Sequence, residues 1–118
     1  MNTKIVAAMA LVALAGTANA ETVLVWGTGN GGYGTDDIAN WLQASGRFDS
    51  VSYLDQDNGV DLATLNAYDK VLYFSNSSST QDPNEVGDVL ADYADTGKRL
   101  VIATFAWALQ GNNTLGGR

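Results

Sequence analysis

The sequence predicts an α/β domain: a three-layer sandwich around an all-parallel sheet in the strand order 2-1-3-4. Three observations carry that expectation. Short strand-like segments recur four times, apolar over 22–26, 70–74 and 100–105 and alternating over 50–54. Between them, apolar residues fall three and four apart, the spacing of one helix face. Glycine, aspartate and proline punctuate the joins. Strands alternating with helices imply βαβ units, and right-handed crossovers then give the strand order.

The elements follow in turn. Thr22-Val23-Leu24-Val25-Trp26 is almost continuously apolar, as a strand buried on both faces should be. A glycine loop, Gly27 to Gly34, leads to a helix predicted over 36–45, with Thr35 as N-cap, Asp36 and Asp37 at its positive start and Gly46 as terminator. Ile38, Trp41 and Leu42 are expected to form its buried face. The strand over 50–54 alternates polar and apolar residues, which places it at a sheet edge. A polar turn and a short helix carrying Leu62 and Leu65 precede the third strand, Lys70-Val71-Leu72-Tyr73-Phe74, which ends in a Ser/Asn tract. The next helix is the best punctuated: Asp82 caps it, Pro83 opens it, Val86, Val89, Leu90 and Tyr93 form its apolar face, and Gly97 ends it. The set amounts to a doubly wound, flavodoxin-like sheet.

The fourth strand, Leu-Val-Ile-Ala-Thr-Phe, is expected to be buried on both faces, yet only thirteen residues follow Phe105. So apolar an edge invites aggregation. The sheet is therefore expected to be incomplete, the domain being an N-terminal fragment of a longer one. The alternative is a partner, or self-association, along the 100–105 edge.

Residues 1–20 read as a cleaved signal peptide: Lys4, an apolar stretch over 5–15, and Ala18-Asn19-Ala20 before Glu21. The apolar stretch is too short to span about 30 Å of hydrocarbon. The expectation is a secreted or periplasmic bacterial protein, its single domain over 21–118. Lys4 leaves with the signal, so thirteen acidic side chains face five basic ones, a net charge of −8. That balance repels nucleic acid and anionic lipid. The chain has neither Cys nor His. Disulfides, Cys- or His-based catalytic triads and His- or Cys-ligated zinc and haem are thereby excluded.

Candidate sites lie in the connections. Gly27, Gly29 and Gly32 satisfy G-x-G-x-x-G, and Asp55 falls where a dinucleotide fold binds ribose. Against a nucleotide, the loop runs two residues past the motif, and an exported protein rarely meets free nicotinamide. Asp55, Asp57 and Asp61 suggest a calcium loop, but Gly59 is misplaced and the terminal Glu is lacking, so a solvated turn is the simpler reading. The tract from Ser75 and Asn76 to Thr80 could bind an anion through hydroxyls and backbone amides, against the simpler reading of a polar loop leading into a capped helix. Trp107 follows a strand's carboxyl end and is the tryptophan that stands out. The candidate ligand-binding set is Gly29, Asn30, Gly31, Gly32, Asp55, Ser75 and Asn76. No catalytic residue, metal ligand or cofactor is expected.

Three segments carry a resemblance: Tyr68-Asp69-Lys70-Val71-Leu72-Tyr73-Phe74-Ser75-Asn76, Gly87-Asp88-Val89-Leu90-Ala91-Asp92-Tyr93, and Gly97-Lys98-Arg99-Leu100-Val101-Ile102-Ala103-Thr104. Together they resemble the class I glutamine amidotransferase-like superfamily, closest to its exported ThuA-like branch. The resemblance spans about 23–105 and implies the fold. The family's nucleophile elbow would fall on Thr104-Phe105-Ala106, with Thr104 nearest the position of the catalytic Cys. This chain has no Cys, no His and no elbow glycine there, and the family's glycine triplet is reduced to Gly97-Lys98-Arg99. The expectation is a non-catalytic binding or interaction module for a small molecule or a protein. The alternatives are part of a hydrolase or amidotransferase whose catalytic residues lie further along, and a secreted nucleotide-binding domain.

Overall fold

A computed structural model describes residues 21–28, 34–55, 60–75, 82–103 and 115–118. The expected signal segment, the tip of the glycine loop, Asp57, Asn76, Thr104 and Trp107 lie outside the described residues. The elements are β1 (Thr22–Thr28), α1 (Thr35–Ala44), β2 (Ser50–Asp55), α2 (Leu62–Asn66), β3 (Lys70–Ser75), α3 (Pro83–Asp95) and β4 (Arg99–Ile102). The four strands are all parallel, in the order β2-β1-β3-β4. This is the predicted topology.

The sheet buries its two faces unequally. Leu24 and Trp26 of β1, with Val71 and Tyr73 of β3, point to the side covered by α2 and α3, where they join Val60, Leu65, Val86, Leu90 and Tyr93 in one core. Trp26 and Tyr73 meet edge to face, with ring centroids 4.9 Å apart. On the opposite side, Val25 and Phe74 pack against Ala39 of α1, with Ile38, Leu42, Val51, Leu72 and Ala103 around them. A groove of about 230 Å³ remains there, bounded by Val23, Leu42, Phe48, Leu72 and Val101.

Three expectations are corrected. Thr35 is not the N-cap of α1. It is the first helical residue and fully buried, and Gly34 caps the helix instead. Trp41 is 58% exposed because the buried face is centred on Thr35 and Ala39, flanked by Ile38 and Leu42, which leaves position 41 on the flank. Finally, the described part of β4 is not buried on both faces. Its residues alternate, with Leu100 and Ile102 against the larger core and Val101 58% exposed, because β4 is an edge strand beyond the reach of α1.

Other local signals hold. Asp82 accepts the Asn84 N–H at 2.9 Å and Pro83 opens α3. Gly46 and Gly97 take φ of +67° and +82° just past α1 and α3, ending each helix as an αL residue does.

Candidate functional site

The carboxyl edge of the sheet gathers the candidate residues that are described. In the β1–β2 register Gly27 faces Asp55, and in the β1–β3 register Thr28 faces Ser75. Asp55, Gly27-Thr28 and Ser75 thus form a row across three adjacent strands. Strand neighbours lie about 4.8 Å apart, so the row spans roughly 10 Å, the size of a small ligand. From this edge β1 leads to α1 on one face while β3 leads to α3 on the other. The connections part between β1 and β3, which makes this the topological switch point of the sheet, where open α/β sheets bind ligands.

Gly27 has a steric role at this point. A Cβ there would overlap the Phe74 carbonyl oxygen of the paired strand, so only glycine lets β1 and β3 approach as they do. Of the predicted set, Asp55 and Ser75 are brought together, on either side of β1. Gly29, Asn30, Gly31, Gly32 and Asn76 lie outside the described residues.

Among the described residues the carboxyl end of the sheet is acidic, whereas the amino end mixes both signs, with Glu21, Asp49 and Asp69 among its basic side chains. The carboxyl end carries Asp36 and Asp37 in the first turn of α1, Asp55 at the end of β2, and Asp82 and Glu85 at the start of α3. Arg47, Lys70, Lys98 and Arg99 sit at the amino end. The Asp37 carboxylate already accepts the Gly34 N–H at 3.2 Å. The positive end of α1 therefore faces its own two carboxylates, which oppose a phosphate there. Two buried polar atoms lack a hydrogen-bond partner among the described residues, Trp26 Nε1 and Thr35 Oγ1. Both belong to residues flanking this edge, one on each face of the sheet. Unsatisfied buried polar atoms are rare in folded proteins.

Asp61 does not join a metal site. Its carboxylate caps α2, accepting the Thr64 N–H at 2.8 Å, and the hydrogen bonds from Thr64 hold its pKa below the usual carboxylate value. Among the described residues, no group of three or more potential metal-ligating side chains occurs. Nor is any described helix long and apolar enough to cross a membrane.

The amino end is built differently, from reciprocal clamps. Glu21 N–H donates to Asp49 Oδ2 at 2.6 Å, and Asp49 N–H returns to the Glu21 carbonyl at 3.0 Å. The Thr22 N–H and hydroxyl both donate to Asp69 Oδ2 at 2.8 Å, while the Asp69 N–H donates to the Thr22 carbonyl at 3.1 Å. These bonds from Thr22 lower the Asp69 pKa. Tyr93 donates its hydroxyl to the Tyr68 carbonyl at 3.0 Å, a carbonyl also reached by Lys98 Nζ at 3.0 Å. Burial, and then the nearby Asp69 charge, raise the Tyr93 pKa. The sequence assigns no clamping role to Asp49 or Asp69, although Asp69 lies in the Tyr68-Asp69-Lys70 segment that carries the resemblance. Each acts on a segment at least 28 residues away in the chain.

No protein-family model, curated protein or solved structure matches this chain.

Proposed function

We propose that this chain is an exported, non-catalytic α/β module of the amidotransferase-like kind, which binds a small polar ligand at the carboxyl edge of its sheet. The observation that carries the reading is the row Asp55, Gly27-Thr28, Ser75 at the switch point between β1 and β3. Its chemistry favours a neutral or cationic ligand. Carboxylates line that end, and a hydroxyl or ammonium group on the ligand can donate to Asp55. A chain without Cys or His offers no thiolate or imidazole for nucleophilic or general-base work, which supports binding over acyl transfer. Export is supported by the Lys4, apolar and Ala18-Asn19-Ala20 pattern of the first twenty residues.

A second reading, a nucleotide-binding domain, is favoured by one observation. Asp55 stands directly beside Gly27, where a ribose-binding carboxylate of a dinucleotide fold belongs. The acidic first turn of α1 weighs against it.

Backbone amide shifts of the nitrogen-15-labelled chain separate the readings. Methyl glucoside, glycinamide and ADP-ribose serve as the neutral, cationic and phosphate probes. Saturable shifts at Gly27, Thr28, Asp55 and Ser75 with either of the first two support the proposal, and Asp55→Asn should weaken them by about tenfold. A response at this edge to ADP-ribose alone, or no response there to any of the three, overturns it.

A further inference from the structure

The outer side of α3 carries a docked peptide, formed by the chain's own residues 115–118. Leu115 packs against the larger core, and the next three residues run along the helix. Each step is read by a helix group. The Gly116 N–H donates to the Pro83 carbonyl at 3.2 Å, the Gly117 N–H to Asn84 Oδ1 at 2.9 Å, and the Arg118 N–H to Asp88 Oδ1 at 2.8 Å. The Arg118 guanidinium then bridges the Asp92 carboxylate and Asp95 Oδ2, the latter at 3.0 Å.

Asn84, Asp88, Asp92 and Asp95 lie one turn apart and form a stripe along the helix axis. Between them Gly87 is buried, and a Cβ there would overlap the Gly116 carbonyl oxygen. The segment lies flush on the helix only because position 87 has no side chain. Gly117, at φ +82°, would press a Cβ of its own into the Asn84 carbonyl. Glycine is therefore required on both sides of the contact. Three aspartates one turn apart also repel one another and weaken an isolated helix. Their arrangement makes sense when a cation lies across them.

We propose that this face of α3 is a recognition groove for an extended polypeptide segment of Gly-Gly-basic chemistry, occupied in cis by residues 115–118 and accessible in trans to a like segment of a protein partner. It reads main-chain N–H groups with Asn84 and Asp88 and a guanidinium with Asp92 and Asp95. The Arg118 ion pairs are about half exposed, so they are weak and sensitive to salt. The guanidinium anchor of the cis segment is thus the part that a competing cation can displace. This surface is separate from the carboxyl edge of the sheet and does not depend on a ligand there.

The test is peptide competition on the nitrogen-15-labelled chain, with acetyl-Leu-Gly-Gly-Arg-amide as probe. Saturable movement of the Gly117 and Arg118 amide signals toward free-peptide positions is expected, with acetyl-Leu-Gly-Gly-Glu-amide without effect. Binding should weaken about fivefold between about 50 and 500 mM salt, and by a similar factor in Asp92→Asn/Asp95→Asn. Gly87→Ala should release residues 116–118 while circular dichroism shows α3 intact. Equal competition by the glutamate peptide, or none by the arginine peptide, overturns the proposal. So do docked amide shifts persisting in Gly87→Ala, or free-peptide shifts for Gly117 and Arg118 in the unaltered chain.

Discussion

The two faces of one sheet differ more here than the strands themselves do. Toward α2 and α3, Leu24, Leu65, Leu90 and Tyr93 are at most 1% exposed. Toward α1, the same alternation leaves Val101 58% exposed beside an open apolar groove. The cause is topological. In the order β2-β1-β3-β4 the chain reverses direction once, so among the described residues right-handed crossovers put α1 on one face and α2 with α3 on the other. Equal apolar strand patterns thus acquire unequal burial from the helices laid over them.

The largest test of that contrast is Leu90→Ala. It should destabilise the domain by about 3 kcal/mol, since it empties a fully packed site. Leu42→Ala, on the sparse face and only half-buried, should cost less than about 2 kcal/mol. Urea midpoints read both, and equal losses would remove the asymmetry. Next comes Gly27→Ala, which forces a methyl group into the Phe74 carbonyl on the α1 side. A loss of about 1–3 kcal/mol is expected, with shift changes confined to β1 and β3.

Tyr93→Phe removes one buried hydrogen bond on the crowded face, worth about 1 kcal/mol. It also changes the alkaline limb. The Tyr93 pKa is raised on folding, so its contribution is complete below pH 10.0 and is lost as pH rises through the folded value. The variant should lose that dependence, and a thermal melt series above pH 10 would show it. At the amino end the sign reverses. The folded pKa of Asp69 lies below 3.8, so its stabilisation is present above that value and disappears as pH falls through the lowered one. Asp69→Asn should flatten the acid limb of stability below about pH 4. Smallest of all, Val101→Thr on the exposed edge should shift stability by no more than about 0.5 kcal/mol. A larger loss would mean that the groove is packed in solution.

Much of the fold is legible in the sequence because its signals are local. Asp82-Pro83 at the start of α3 and Gly97 after its end act on their own neighbours, so spacing suffices to place them. The start of α1 lies one residue earlier than the sequence pattern predicts, because Thr35 has the chemistry of a cap but is drawn into the sheet interface, leaving Gly34 to end the loop. Of the candidate site, Asp55 and Ser75 were found from their positions at strand ends. Their sharing of a row with Thr28 depends on strand register, which no local pattern reports. The groove on α3 was invisible for the same reason. Gly87 in a helix and Gly116-Gly117 further along the chain gain this meaning only from the contact between them.

Sequence alone determined which segments are strands and helices, their order in the sheet, the missing Cys and His chemistry and the acidic balance, because these depend on residue type and short-range periodicity. Only the tertiary structure decided which strand face is covered, which carboxylates clamp the amino end and which residues meet at the carboxyl edge. It also showed that residues 115–118 lie against α3. Those outcomes depend on contacts between groups tens of residues apart, which burial and strand register select and composition does not record.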